Sequence, residues 1–394
     1  MNRRTVGMLV IVVAGAAGTA QARWAAATRV RRDAVEAQAE LERRDADIAF
    51  YEQRVRADPI GARDRARLAA LYLQRARETG DYGDYRRAEA LARRSVALRT
   101  SHNAATYSLL ATALLAQHRF LEALEAARAL AARDPENVSA RALVAEVELE
   151  LGRYDAAGAA FAALWPKRRE LAVAPRLARW AEIRGDTGLA RRLLAGALTE
   201  ALRRPDLPRE QLAWFYLRVG DQALRTGRLA DAEYAFRAGL AVFPGDSRLP
   251  AALARLARAR GRWRDVLSWG DRALAGVPDP ATFGLVSDAY AVLGDTARAG
   301  EYARAMEIAV AGQPGQWHRA WSLFLLDHHR RVPEVVAKVR EELKTRRDVY
   351  GYDLLAWALH LAGRDIEARV AVRQALAWGT KDPQLLGHAA AIGR

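Results

Sequence analysis

The chain has 394 residues, enough for two or three ordinary domains or for one long repeat array. It holds 62 Lys and Arg against 47 Asp and Glu, a net charge of +15, and 51% of its residues are apolar, so it can bury a large core and intrinsic disorder is excluded as its main state. It has no cysteine, which excludes disulfide frameworks, Cys-ligated zinc, thiol nucleophiles and a lipoprotein acyl cysteine, and suits a chain exported to an oxidising compartment.

Only four of the basic residues are lysines (Lys167, Lys338, Lys344 and Lys381), so the positive excess is an arginine excess. A GC-rich genome accounts for so much Arg and Ala without any acidic partner.

The amino terminus reads as a targeting segment. Asn2-Arg3-Arg4 is a short basic region, Thr5 to Ala22 is uncharged and largely apolar, and Ala20-Gln21-Ala22 is a small-x-small pattern that a signal peptidase could cut. Eighteen residues rich in Gly, Ala and Thr stand at the short edge for a spanning helix. Residues 1–22 are therefore either a cleaved signal peptide or an uncleaved anchor, with residues 5–22 as the membrane tether. Both place the body outside the cytoplasm, in a periplasmic setting. Residues 23–57 follow as one charged amphipathic helix, with Ala34, Leu41, Ile48 and Val55 seven apart, and serve as a cap or stalk.

From about residue 60 the pattern is helical throughout, without hairpin-turn dipeptides between β-branched runs. Turn positions recur at Gly83, His118, Gly152, Gly185, Gly227, Gly261, Gly294, Arg330 and Gly363, spaced 33 to 36 residues apart except for one interval of 42. Five residues after most of them stands an alanine: Ala88, Ala123, Ala157, Ala190, Ala232, Ala299 and Ala368, with Val266 and Val335 as exceptions. Seven residues before most of them stand Ala76, Ala111, Ala145, Ala178, Gly220, Ala254, Ser287 and Ala356, with Leu323 as the exception. A glycine ends one helix and opens a tight turn. The two small residues let the helices of a pair approach closely. No pair can bury its apolar face alone, so pairs must stack into a solenoid.

Two segments carry the resemblance most fully. They are Val144-Ala145 with Gly152-Arg153-Tyr154-Asp155-Ala156-Ala157 and Phe161, and Val219-Gly220 with Gly227 to Ala232, Phe236, Gly239-Leu240 and Pro244. The chain resembles the tetratricopeptide-repeat family over roughly residues 58–383, in the exported bacterial form. The resemblance implies an all-α fold, an α-solenoid of about nine helix–turn–helix repeats wound into a right-handed superhelix. An N-terminal array over 58–202, a Pro-containing loop at 203–210 (Pro205, Pro208) and a C-terminal array over 211–394 with a terminal capping helix make up its domain organisation.

Motifs for catalysis are missing. There is no P-loop, GxGxxG turn, HExxH or GxSxG, so no catalytic residue and no cofactor is assigned. His318, His328 and His329, with His360 from a neighbour, are the one place where a metal-dependent hydrolase could be built, but one helix presents at most two ligands cleanly, and no metal is assigned. Nucleic-acid binding would use the positive charge, yet the export signal and the dispersed arginines argue against it.

Tetratricopeptide repeats line a concave groove with the first helix of each pair. Carried over by position, the groove side chains are Arg176, Arg179, Trp214, Arg225, Arg248, Arg255, Arg258, His318, Trp321, His328, Tyr350, Trp357 and His360. Arginine forks and aromatic faces suit an acidic, extended peptide of a partner protein. The expected function is thus a non-enzymatic scaffold, with assembly of a membrane complex through the N-terminal helix as the alternative.

Overall fold

The computed structural model describes residues 35–313 and 319–393. The targeting segment, Ala34 and His318 lie outside the described residues. No strand occurs among those described, and no described helix is long and apolar enough to cross a membrane.

A first helix, α1, covers residues 35–57. Nine helical hairpins follow among the described residues: α2–α3 (Ala62–Thr79, Tyr82–Leu98), α4–α5 (Ala104–Ala116, Phe120–Arg133), α6–α7 (Val138–Glu150, Tyr154–Leu164), α8–α9 (Ala174–Ile183, Thr187–Leu202), α10–α11 (Arg209–Arg225, Leu229–Val242), α12–α13 (Arg248–Ala259, Trp263–Leu274), α14–α15 (Pro280–Val292, Thr296–Ala311), α16–α17 (Arg319–Asp327, Val332–Glu342) and α18–α19 (Val349–Leu361, Asp365–Leu376). α20 (Pro383–Ile392) closes the chain. Most helices pack chiefly on their neighbours in sequence, which makes the fold an α-solenoid.

The phased small residues form the spine of the core. Ala111, Ala145, Ala178, Ala254 and Ala356 are fully buried, and so are their partners Ala123, Ala157, Ala190, Val266 and Ala368. At Gly220 even a methyl group does not fit: a Cβ there would lie 2.3 Å from the ring of Phe236. Of the aliphatic residues immediately before these small residues, Leu110, Leu177, Leu253 and Val286 are buried and Val144, Val219 and Leu355 half-buried.

Two turn positions shift from their expected places. The left-handed residue between α2 and α3 is Gly80, with φ 72°, while Gly83 lies inside α3. Ala76 and Ala88 are nonetheless both buried, so the helix faces keep their register although the turn comes earlier and is one residue shorter than that between α6 and α7. In the eighth hairpin the left-handed residues are His329 and Arg331, not Arg330. Elsewhere aspartates fix the helix starts: Asp186, Asp279, Asp295, Asp348 and Asp382 accept hydrogen bonds from the backbone N–H groups of the helices they precede.

The loop at 203–208 separates α9 from α10, but Ala197 and Ala201 on one side and Leu212 and Phe215 on the other share one cluster, with Leu207 packed against it. The core runs through this point. α1 packs by Ile48, Tyr51 and Val55 on the cluster of the first hairpins and by Ala37 and Leu41 on that of α10–α12. Glu36 and Glu40 both reach Arg209.

The superhelix comes back on itself, and its two turns touch. The Leu151 carbonyl accepts from the Arg347 N–H at 3.0 Å, and the Tyr154 hydroxyl accepts from the Val349 N–H at 2.8 Å across 195 residues. Arg346 donates to the Glu150 carbonyl at 3.0 Å, a separation of 196 residues. Gly185 lies against the Gly379 carbonyl and Gly80 against Val277 at nearly the same separation. Trp180 and Tyr154 pack on Trp378 along this seam, with ring centroids 5.6 and 5.2 Å apart. Glu210, its side chain buried, is held between Arg77 and Arg248.

Candidate functional site

The first helices of the hairpins enclose a concave cavity of about 900 Å³. One wall comes from α8, α10 and α12 and carries Arg179, Asp221, Arg225, Arg255 and Arg258. The opposite side is built by the starts of α14, α16, α18 and α20, where Asp279, Asp348 and Asp382 cap helices and Arg319, Tyr350 and Gln384 face inward.

The expected groove residues are only partly brought together. Arg179, Arg225, Arg255, Arg258 and Tyr350 line the cavity. Arg179 Nη1 donates to the Tyr350 hydroxyl at 2.8 Å, and the Tyr350 ring has Arg179 at 4.8 Å and Arg319 at 5.2 Å. Arg255 pairs with Asp221 at 3.0 Å. Arg258 is exposed and has no hydrogen bond or ion pair among the described residues; Asp288, shared with His328, feels its charge only at longer range.

The others stand elsewhere. Arg248 is taken up by Asp246 and Glu210 and lines a second, smaller cavity of about 320 Å³ that Arg255 shares. Arg176 is paired with Glu146 at 2.8 Å. Trp321, expected in the groove, is only 4% exposed and stacks on Phe324, because its helix turns that face into the core. Trp214 packs in the cluster between α9 and α11. Trp357 stacks on His388, with ring centroids 4.6 Å apart, and supports the last helix.

The histidines do not converge. His328 meets Asp288 at 3.3 Å, His360 meets Asp365 at 2.8 Å, and His388 meets Asp353 at 2.8 Å. Among the described residues no group of three or more His, Asp or Glu could hold a metal ion.

The sequence reading missed Arg218, Glu182, Arg319 and Arg346. Three arginines surround Glu182: Arg225 donates to its Oε1, while Arg179 and Arg218 stand at 3.9 and 3.8 Å. Burial works to lower the Arg179 guanidinium, and Tyr350, Glu150 and Glu182 outweigh it. For Arg218 burial prevails and its pKa falls below the ordinary value, with Arg225 and Arg179 adding repulsion. At the seam the balance is reversed: Arg346 meets Glu150, Glu342 and Asp348, and burial pushes the Glu150 and Glu342 carboxyls up.

Stacked helical hairpins around a concave cavity define a repeat-type α-solenoid. By its phased small residues and its fold, the chain resembles tetratricopeptide-repeat solenoids. Residues 81–164 match the family model described as anaphase-promoting complex, cyclosome, subunit 3. Among solved structures the chain is similar to human IFIT1, in a dimer with PPP-AAAA, at 15% identity, TM-score 0.54, covering 80% of this chain and 72% of that one. It is also similar to the APC/C hetero-tetramer Cut9–Hcn1, at 13% identity and TM-score 0.49, covering 82% of this chain and 63% of that one, so it spans less than two thirds of that chain. PilW, described as a widely conserved type IV pilus biogenesis factor, is a third, at 18% identity and TM-score 0.44, with 57% and 99% covered. No curated protein matches the chain significantly.

Proposed function

We propose that this protein is a non-enzymatic scaffold that holds an acidic, extended segment of a partner protein in its concave cavity. The observation that carries this reading is the cavity itself: about 900 Å³ and walled on one side by arginines of three successive first helices. Tetratricopeptide solenoids are built for protein contact, and a fold alone names no ligand. The partner's chemistry is argued from the wall, where guanidinium forks match carboxylates in geometry and charge. The setting is the cell envelope, reached through the targeting segment at residues 1–22, with residues 5–22 as tether if they are not removed. Sequencing the amino terminus of the mature chain separates the cleaved from the anchored form.

The test is site-specific photo-cross-linking in the host. A benzoylphenylalanine placed at Ala259 or Ala281, both exposed and lining the cavity, is expected to capture a partner. The same group at Tyr234, 75% exposed and remote from the cavity lining, is expected not to. Capture from Tyr234 alone would move the binding surface off the cavity.

A further inference from the structure

Resting on the reading of the cavity as the partner site, we propose that Arg179, Arg218 and Arg225 form an incomplete oxyanion site in which Glu182 supplies one carboxylate and an acidic side chain of the partner supplies the second.

Three guanidinium groups converge on Glu182, Arg179 and Arg225 lining the cavity and Arg218 standing beside them. Arg179 is also offset by Glu150 and bonded to Tyr350, and Asp221, bound to Arg255 at 3.0 Å, acts on Arg218 and Arg225 at longer range, so Arg218 is the cation left without a bonded carboxylate among the described residues. Among the described residues only Arg225 makes a hydrogen bond to Glu182. Glu182 Oε2 is buried and accepts no hydrogen bond from any of them, and Arg218, one-fifth exposed, reaches it at 3.8 Å. A guanidinium that has lost most of its water without gaining a bonded carboxylate is costly to keep, and an incoming oxyanion removes that cost. The depressed Arg218 pKa, lowered first by burial, agrees with an unfilled position.

The rest of the cavity directs an anion to the same place. Asp279, Asp348 and Asp382 on the opposite side already accept from the backbone of the helices they cap. Arg319 is bound to Asp353, and Arg346 faces three acids at the seam. Arg258, exposed and unpaired among the described residues, widens the positive field at the edge of the α8–α12 wall. In the absence of partner Glu182 is thus an internal stand-in for part of the ligand, and it competes with it.

That competition predicts an unusual sign. Glu182→Gln in the full chain should bind a synthetic alternating Glu-Ser peptide more tightly than wild type, on the order of tenfold, which is what one freed charge-assisted contact supplies. A Gln-Ser peptide should bind neither protein. Arg218→Met should weaken the Glu-Ser peptide by a similar factor, and Arg258→Glu, at an exposed position, should do so without touching the core. If Glu182→Gln folds poorly, the Glu-Ser peptide should raise its melting temperature more than that of wild type.

Equal or weaker binding by Glu182→Gln, with no added thermal protection, overturns the competition. Inorganic phosphate protecting Glu182→Gln as well as the peptide at equal concentration overturns the peptide assignment. The cross-linker at Ala259 keeps the two levels apart. Capture of Glu-Ser and Gln-Ser peptides alike defeats the oxyanion site and leaves the cavity standing, whereas capture of neither defeats both.

Discussion

Replacing Gly152 by alanine tests whether the two superhelical turns touch. Gly152 has φ 73°, so any side chain carries the left-handed cost, about 1 kcal/mol. Gly227 has φ 75° and the same cost, with nothing within 4 Å of an added Cβ. At Gly152 the Cβ would stand 2.3 Å from the Arg347 carbonyl carbon and oxygen and 2.5 Å from the Asp348 nitrogen. These are backbone atoms of the other turn, so no rotamer change relieves the contact. Moving them apart stretches the Arg347–Leu151 and Val349–Tyr154 hydrogen bonds, each worth about 1 kcal/mol, on top of an overpacking cost of about 1–3 kcal/mol. Gly152→Ala is therefore expected to cost about 3 kcal/mol or more, and Gly227→Ala about 1 kcal/mol. Long repeat arrays need not unfold in one step, so urea midpoints should be read together with amide exchange. Faster exchange should appear in α17 and α18 for Gly152→Ala and stay near α10–α11 for Gly227→Ala. Equal midpoints and no change in α17–α18 would mean that the turns are apart in solution, and the closed superhelix would be wrong.

Three further outcomes follow from the same structure. Ala254→Leu, at a fully buried helix contact, should cost about 1–3 kcal/mol in urea unfolding, and Ala259→Leu, exposed, should change little; equal effects would refute the repeat register. Arg248→Ala should cost about 3 kcal/mol because it strips a cation from the buried Glu210 and Asp246 carboxylates, while Arg258→Ala should stay within about 0.5 kcal/mol; calorimetry showing the reverse would refute the pairing. Burial makes Glu150 and Glu342 hold their protons more firmly in the folded chain than in the unfolded one. Their contribution is present below the ordinary value of 4.5 and lost as pH rises through the raised native values. Glu150→Gln should flatten that part of the pH dependence of the melting temperature, and an unchanged profile would remove Glu150 as its source.

The hairpins were legible in the sequence because they are made locally. Ala145 and Ala157 flank Gly152 within a single turn of chain, and the close approach of two adjacent helices demands small residues at those offsets whatever else the protein does. The same local rule locates Ala76 and Ala88 correctly even where the turn glycine is Gly80 and not Gly83. Helix starts were legible in part, through Asp-Pro pairs such as Asp279-Pro280 and Asp382-Pro383.

The cavity was not legible in the same way. Which arginines are free depends on which carboxylates reach them, and those lie tens to hundreds of residues away: Glu182 for Arg225, Glu210 for Arg77 and Arg248, Glu150 for Arg346. In a chain so rich in arginine, position within a repeat cannot tell Arg258, which is unpaired among the described residues, from Arg248, which holds two buried acids. The contact between turns is a still longer sum. The rise and rotation of each hairpin add over six repeats before Leu151 meets Arg347, and small differences in packing angle decide whether they meet at all. Sequence by itself determined the helical hairpins, their spacing and the faces they bury, because those are nearest-neighbour matters. Only the tertiary structure decided that the solenoid closes on itself and which charges are left facing its interior.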